Sequence, residues 1–201
     1  LRASRQPDFF FFDKLRGCKN EAPFQLEINM EIKTERLTLE PLCMKHLNTT
    51  HEYASDHELT RLMVFLPVND IAETERYLRK CVKEMSAPEP KFLEMAVMLG
   101  EKHIGSVSAY LEENGAAWEL GWIIARGYHG KGYAFEAARG LMEYLERNGA
   151  KRFIAHCDTE NAASRRVMEK LGLSLAGESR DRKNRSSDEL RGEYFFELNL
   201  P

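Results

Sequence analysis

The sequence predicts an α+β domain built on one mixed sheet, and three observations carry that prediction. Between Phe92 and Ala125 three apolar runs are joined by turns too short for a crossover helix, so these strands run antiparallel. Further on, two segments place apolar residues at helical spacing, and each stops at a glycine, Gly149 and Gly172. A strand-like run, Lys151–Asp158, lies between them. The predicted order is β-α-α-β-β-β-α-β-α-β-β.

The first strand is read over Glu31–Leu42, where Ile32, Leu37 and Leu39 are interleaved with polar residues and Pro41 ends the run. Met44–Asp56 reads as a weak helix. Asn69–Met85 reads as a stronger one: Asn69 or Asp70 caps it, Ile71, Tyr77, Leu78, Cys81, Val82 and Met85 form its apolar stripe, and Ser86–Pro90 stops it. Phe92–Leu99 and Lys102–Leu111 flank a Gly-Glu turn as a hairpin. Glu113–Ala116 makes the next turn and Ala117–Ala125 the third strand of the meander. From Tyr133 to Asn148, residues Ala134, Ala138, Leu141 and Leu145 fall on one helical face. Asn161 is an N-cap candidate for a helix with Ala163, Val167 and Leu171 on one side. Leu173–Asp181 and Arg191–Leu200 are read as the last two strands, around a charged loop.

The 201 residues suit one domain with a real core. Met30 opens a segment that reads as a domain start. Residues 1–29 are therefore read as a leader, from an expression vector or from upstream translation, and residues 30–201 as a single domain. The Phe9–Phe12 run is no signal peptide, because no long apolar core and no small-residue cleavage site follows it. A net charge of -3 and a pI near 6.1 lack the basic footprint of a nucleic-acid binder. No apolar run approaches the roughly 20 residues that cross a bilayer. Cys18, Cys43, Cys81 and Cys157 form no C-x-x-C pair and read as free thiols of a reducing cytoplasm, with no metal expected.

One stretch asks for chemistry. In Gly127–Ala138 three glycines stand directly before a helical pattern, with Lys131 between two of them. Glycines let backbone N–H groups approach a ligand closely, and a helix N-terminus favours an anion, so the arrangement suits phosphate. A tight strand-to-helix turn that binds nothing is the alternative. Neither familiar phosphate loop applies. Gly132 follows Lys131 where a Walker A loop needs Ser or Thr, and Phe135 stands where a dinucleotide fingerprint needs its last glycine.

The segments Thr34–Leu42, Glu119–Ala137 and Asn161–Leu173, in this order and spacing, resemble the GNAT superfamily of acetyl-CoA-dependent N-acetyltransferases, and within it the branch of ribosomal-protein N-terminal acetyltransferases. The resemblance covers Met30–Pro201 and implies the GNAT acyl-CoA N-acyltransferase fold, a mostly antiparallel mixed sheet flanked by helices. The family's pyrophosphate motif falls on His129, Gly130, Lys131, Gly132, Tyr133 and Ala134, with His129 where the family usually has Gln or Arg. The resemblance further implies that the backbone of Trp122, Ile123 and Ile124 pairs with the pantetheine arm. It implies that Asn161 hydrogen-bonds that arm and that Ser164 lies near the sulfur. Read without it, Trp122–Ile124 is simply a core strand and Asn161 simply an N-cap.

Acetyl transfer to an amine needs a base, because amines are mostly ammonium at pH 7. It also needs a donor for the carbonyl oxygen and support for the leaving thiolate. Glu119 is the candidate base and Ser164 the candidate for the thiolate. An exposed strand carboxylate is the alternative for Glu119, and His156 and Asp158 are further candidates for the base. The implied acceptor is a primary amine, on a protein N-terminus or a small molecule. A non-catalytic acyl-CoA sensor of the same fold is the competing reading. Ser179–Glu189 is read as a solvated hairpin tip, with the rim of the acceptor cleft as the alternative. A homodimer is compatible with the chain.

Overall fold

The fold is described from a computed structural model, which covers residues 30–112 and 115–201; residues 1–29 with Cys18, and Glu113–Asn114 of the second turn, lie outside the described residues. The strands are β1 (Ile32–Lys33), β2 (Thr38–Pro41), β3 (Phe92–Leu99), β4 (Lys102–Leu111), β5 (Trp118–Ile124), β6 (Arg152–Asp158), β7 (Ser174–Lys183) and β8 (Leu190–Asn199). They form one sheet in the order β1-β2-β3-β4-β5-β6-β8-β7. Every pairing is antiparallel except β5 with β6. The helices are α1 (Leu47–Ala54), α2 (His57–Thr60), α3 (Ile71–Met85), α4 (Tyr133–Arg147) and α5 (Ala162–Lys170). The mixed, mostly antiparallel sheet with flanking helices is the GNAT architecture.

Alternation along the strands divides the core between two faces. Leu93, Met95 and Val97 of β3 join Leu141 and Leu145 of α4 in the main cluster. Ala96, between them, packs with Leu78 of α3 and Leu42 on the opposite face. Leu141 and Leu145 are fully buried, and truncating either to Ala would cost about 2–5 kcal/mol. Among the described residues no helix is long and apolar enough to cross a membrane.

Four features differ from the sequence reading. Glu31–Leu42 is a short hairpin, not one strand: the Thr34 N–H donates to Leu37 O, the Thr34 hydroxyl accepts from Leu37 N–H, and the turn closes without Gly or Pro. The register Ile32↔Leu39 keeps both residues buried, so the alternation survives the reversal. The short helix α2, capped by the Asp56 carboxylate, is additional. Asp70 is the cap of α3, accepting from the Glu73 N–H at 2.7 Å, but Ile71 and Val82 of the expected stripe lie on its exposed side. The charged loop near the C-terminus is shorter than expected, because β7 continues to Lys183. It is also no free tip. Arg182 Nη2 donates to Leu62 O (3.0 Å), Arg185 N–H to Met63 O (3.1 Å), and Asn184 is buried.

Candidate active site

β5 pairs with β4 along its whole length, from Leu111↔Trp118 to Gly105↔Ile124. Towards β6 it pairs only at Trp118↔Phe153 and Glu119↔Ile154. β6 continues to Asp158 while paired with β8. A wedge therefore opens between β5 and β6 beyond Glu119, and one edge of β5 is left without a strand partner. Main-chain polar groups point alternately to the two sides of a strand. Ala125 N–H donates to Ile104 O (2.8 Å), on the β4 side. The alternation then commits the main chain of Ile123 to β4 and turns that of Trp122 and Ile124 to the wedge. Gly105 fits this register. It faces Ile124 in a closely spaced pair, where a Cβ would meet Ile123 O at 2.1 Å. Ile123 contributes its side chain instead, packed with Tyr53, Ala54 and Val68.

At the wedge's mouth the chain turns through Arg126–Tyr128 into the start of α4. Gly130 (φ 75°) and Gly132 (φ 82°) are both left-handed, a conformation costly for a side-chain-bearing residue. The first bond of α4 runs from Glu136 N–H to Gly132 O (3.0 Å). The N–H groups of Tyr133, Ala134 and Phe135 precede it and lack an intrahelical acceptor. No heavy atom would come within 4 Å of a Cβ on Gly130, which borders open space, whereas a Cβ on Gly132 would stand 3.5 Å from Arg36 Nη2. Such a row of amides at a helix N-terminus fits a diphosphate. His129 does not reach into that space: its Nε2–H donates to Ile124 O at 2.6 Å, which fixes the tautomer and ties the loop to β5. The ammonium of Lys131 lies 5.6 Å from the centre of the Tyr128 ring.

Asn161 caps α5, its Oδ1 accepting from Ser164 N–H at 3.0 Å. The cap thus occupies the oxygen, and the amide nitrogen is the group left for a ligand carbonyl. Ser164 is partly buried in the first turn of α5, just past the end of β6.

Glu119 is the last rung of the parallel pair and partly buried. Trp118 and Leu120 on either side belong to the α4-side core, so its carboxylate lies on the other face, with α1 and α3. His156 of β6 shares that face. Its Nδ1 is 3.4 Å from Glu193 Oε2 and its ring packs on Phe195. Burial alone would raise the Glu193 carboxyl, but His156 and Arg182 outweigh it and hold the group below the usual range. Asp158, the other alternative for the base, is engaged by donors on both carboxylate oxygens. It is completely buried and accepts from both Arg191 Nε and Nη2, from Asn184 Nδ2 (2.8 Å) and from Glu160 N–H (2.9 Å). These donors outweigh its burial and keep it ionised below the usual carboxylate range.

Two groups were missed in the sequence. Glu94 is buried under α3 and accepts from Tyr110 OH at 3.0 Å; Tyr110 is the cross-strand neighbour of Glu119. Burial raises the Glu94 carboxyl. An acidic residue in the apolar run Phe92–Leu99 was the available signal. The second group is the Thr34–Arg36–Glu136 lock beside the glycine loop. Thr34 and Arg36 are 102 and 100 residues from Glu136, so the lock leaves no local signal.

The fold is that of an acetyltransferase scaffold. Residues 36–174 match the model of the acetyltransferase (GNAT) domain family. The chain belongs to the GNAT acetyltransferase family, and its class of activity is N-acetyl transfer. It is 30% identical over 151 residues to the uncharacterized N-acetyltransferase YnaD of Bacillus subtilis (strain 168), covering 74% of this chain and 85% of that protein. A GNAT-family acetyltransferase from Bacillus anthracis superimposes with a TM-score of 0.72 at 29% identity, over 85% of this chain and 98% of that one. RimL, a ribosomal L7/L12 alpha-N-protein acetyltransferase solved in complex with coenzyme A, superimposes with a TM-score of 0.77 over 85% and 98% of the two chains; at 16% identity this is a likeness of fold.

Proposed function

We propose that the protein transfers the acetyl group of acetyl-CoA to a primary amine by direct attack in a ternary complex. The observation that carries this reading is the wedge beyond Glu119, which runs from a half-buried carboxylate to the glycine cradle at α4. The coenzyme A bound to RimL supports the choice of cosubstrate.

The diphosphate lies on the amides of residues 130–134. The pantetheine arm pairs with the main chain of Trp122 and Ile124 and with the Asn161 amide nitrogen. The amine arrives from the α1 and α3 face and loses its proton to Glu119, directly or through a water. Its nitrogen attacks the thioester carbon while an N–H of the Trp122–Ile124 edge stabilises the developing oxyanion. As the C–S bond breaks, the Ser164 hydroxyl donates a hydrogen bond to the leaving sulfur, the attacking nitrogen gives up its second proton, which ends on that sulfur as coenzyme A thiol, and the acetyl group remains on nitrogen. The acceptor is an α-amine of a protein or a small-molecule amine. The pinned segment 182–186, held against residues 61–65, borders its approach.

Release of coenzyme A thiol, followed against peptides with free N-termini and against small amines, tests this reading. Amine-dependent release with a matching acetylated product is expected. Tight acetyl-CoA binding with no release on any acceptor would favour a sensor instead.

A further inference from the structure

Arg36 lies in the turn between β1 and β2, outside the cradle, yet its guanidinium reaches both parts of it. Nε and Nη2 each approach Glu136 Oε2 at 2.7 Å, and the Arg36 N–H donates to Glu136 Oε1 at 2.7 Å. Thr34 Oγ1 donates to the same Oε1 at 2.6 Å. Nη1 donates to Lys131 O at 3.0 Å, and the guanidinium stacks 4.7 Å from the centre of the Tyr133 ring.

The bond to Lys131 O has a geometric consequence. Lys131 C=O and Gly132 N–H belong to one planar trans peptide and point in opposite directions. Holding the oxygen on Arg36 aims the Gly132 N–H away from Arg36, towards the open side of the loop. The bonds to Glu136 have an electrostatic consequence. A carboxylate in the first turn of α4 would repel a bound diphosphate, and the guanidinium beside it cancels that charge.

We infer that Arg36 is a positioning residue for the cosubstrate: it orients the Lys131–Gly132 peptide and neutralises Glu136 so that the cradle accepts a diphosphate. This rests on the reading that acetyl-CoA binds there. Arg36 acts through the loop, so its effect belongs to donors that carry a diphosphate. A lysine cannot hold Glu136 with two nitrogens and reach Lys131 O at once, so Arg36→Lys is not a conservative replacement.

The test compares Arg36→Ala and Arg36→Lys with the wild type on two donors, acetyl-CoA and acetyl-pantetheine, which lacks the diphosphate. Thermal unfolding is monitored alongside. Losing charge-assisted hydrogen bonds should raise the KM for acetyl-CoA by roughly 10–100-fold in both variants. The kcat at saturating acetyl-CoA and the kcat/KM for acetyl-pantetheine should stay near the wild-type values. Equal losses on both donors, or an unchanged acetyl-CoA KM, would overturn the inference. Gly132→Val separates its failure from failure of the underlying reading. If that variant binds acetyl-CoA undiminished, the cradle itself is misassigned. If it loses affinity while the Arg36 variants do not, only the role of Arg36 falls.

Discussion

Glu119 stands opposite Ile154 in the last rung shared by β5 and β6, and one residue further along the two strands part. The carboxylate therefore sits at the apex of the wedge, on the face away from α4. A thioester lying along the edge of β5 and an amine arriving from the α1 side would meet beside it.

Replacing Glu119 by Gln keeps the shape of this apex and removes the base. Turnover should fall by about 10²–10⁴-fold near neutral pH. Raising the pH should restore part of it, since free amine then forms without the enzyme. A pH–rate profile of Glu119→Gln on the best acceptor measures this. A profile identical to the wild type would transfer the role to His156, which shares the face and is backed by Glu193.

Ser164→Ala should separate binding from chemistry. Its hydroxyl bonds the sulfur mainly as charge develops there, so kcat should drop by about 10–100-fold while the acetyl-CoA KM changes little. Steady-state kinetics with acetyl-CoA as the varied substrate gives both numbers. A rise in KM at constant kcat would mean that Ser164 only holds the ground state.

Two buried carboxyls in this sheet carry opposite pH signatures. Asp158 titrates below its ordinary value in the folded protein, so its contribution to stability is present above about pH 4 and is lost as pH falls through the folded pKa. Glu94 titrates above its ordinary value of 4.5, so its contribution is present below that pH and is lost as pH rises towards the folded pKa. Urea midpoints across this range should show Asp158→Asn less stable than the wild type above pH 4, with the gap closing in acid. Glu94→Gln should be unaffected by the upper titration. A wild-type pH dependence in both variants would assign these transitions to other groups.

The sequence disclosed what is local. The helix stops at Gly149 and Gly172, the glycine pair before Tyr133 and the short turns of the meander are all written in neighbouring residues. The turn at Thr34–Leu37 was not, because a threonine hydroxyl closes it in place of Gly or Pro. Ile123 could not be told from Trp122 as a main-chain partner, since that depends on the register with β4 and not on either side chain. Asp158 stood as a further candidate behind Glu119, and nothing in the sequence signalled that Arg191, 33 residues away, saturates it. Arg36 and Glu136 are 100 residues apart, and only the packing of the first hairpin against α4 joins them.

Residue-resolved amide hydrogen exchange, with and without acetyl-CoA, tests the central claim most directly. The wedge and cradle should slow exchange at Trp122, Gly132, Tyr133 and Ala134 when acetyl-CoA is added. The amide of Ile123, already committed to β4, should exchange at the same rate in both states. Protection confined to other parts of the sheet, with Trp122 and the 130–134 amides unchanged, would contradict the assignment of this wedge as the acetyl-CoA site.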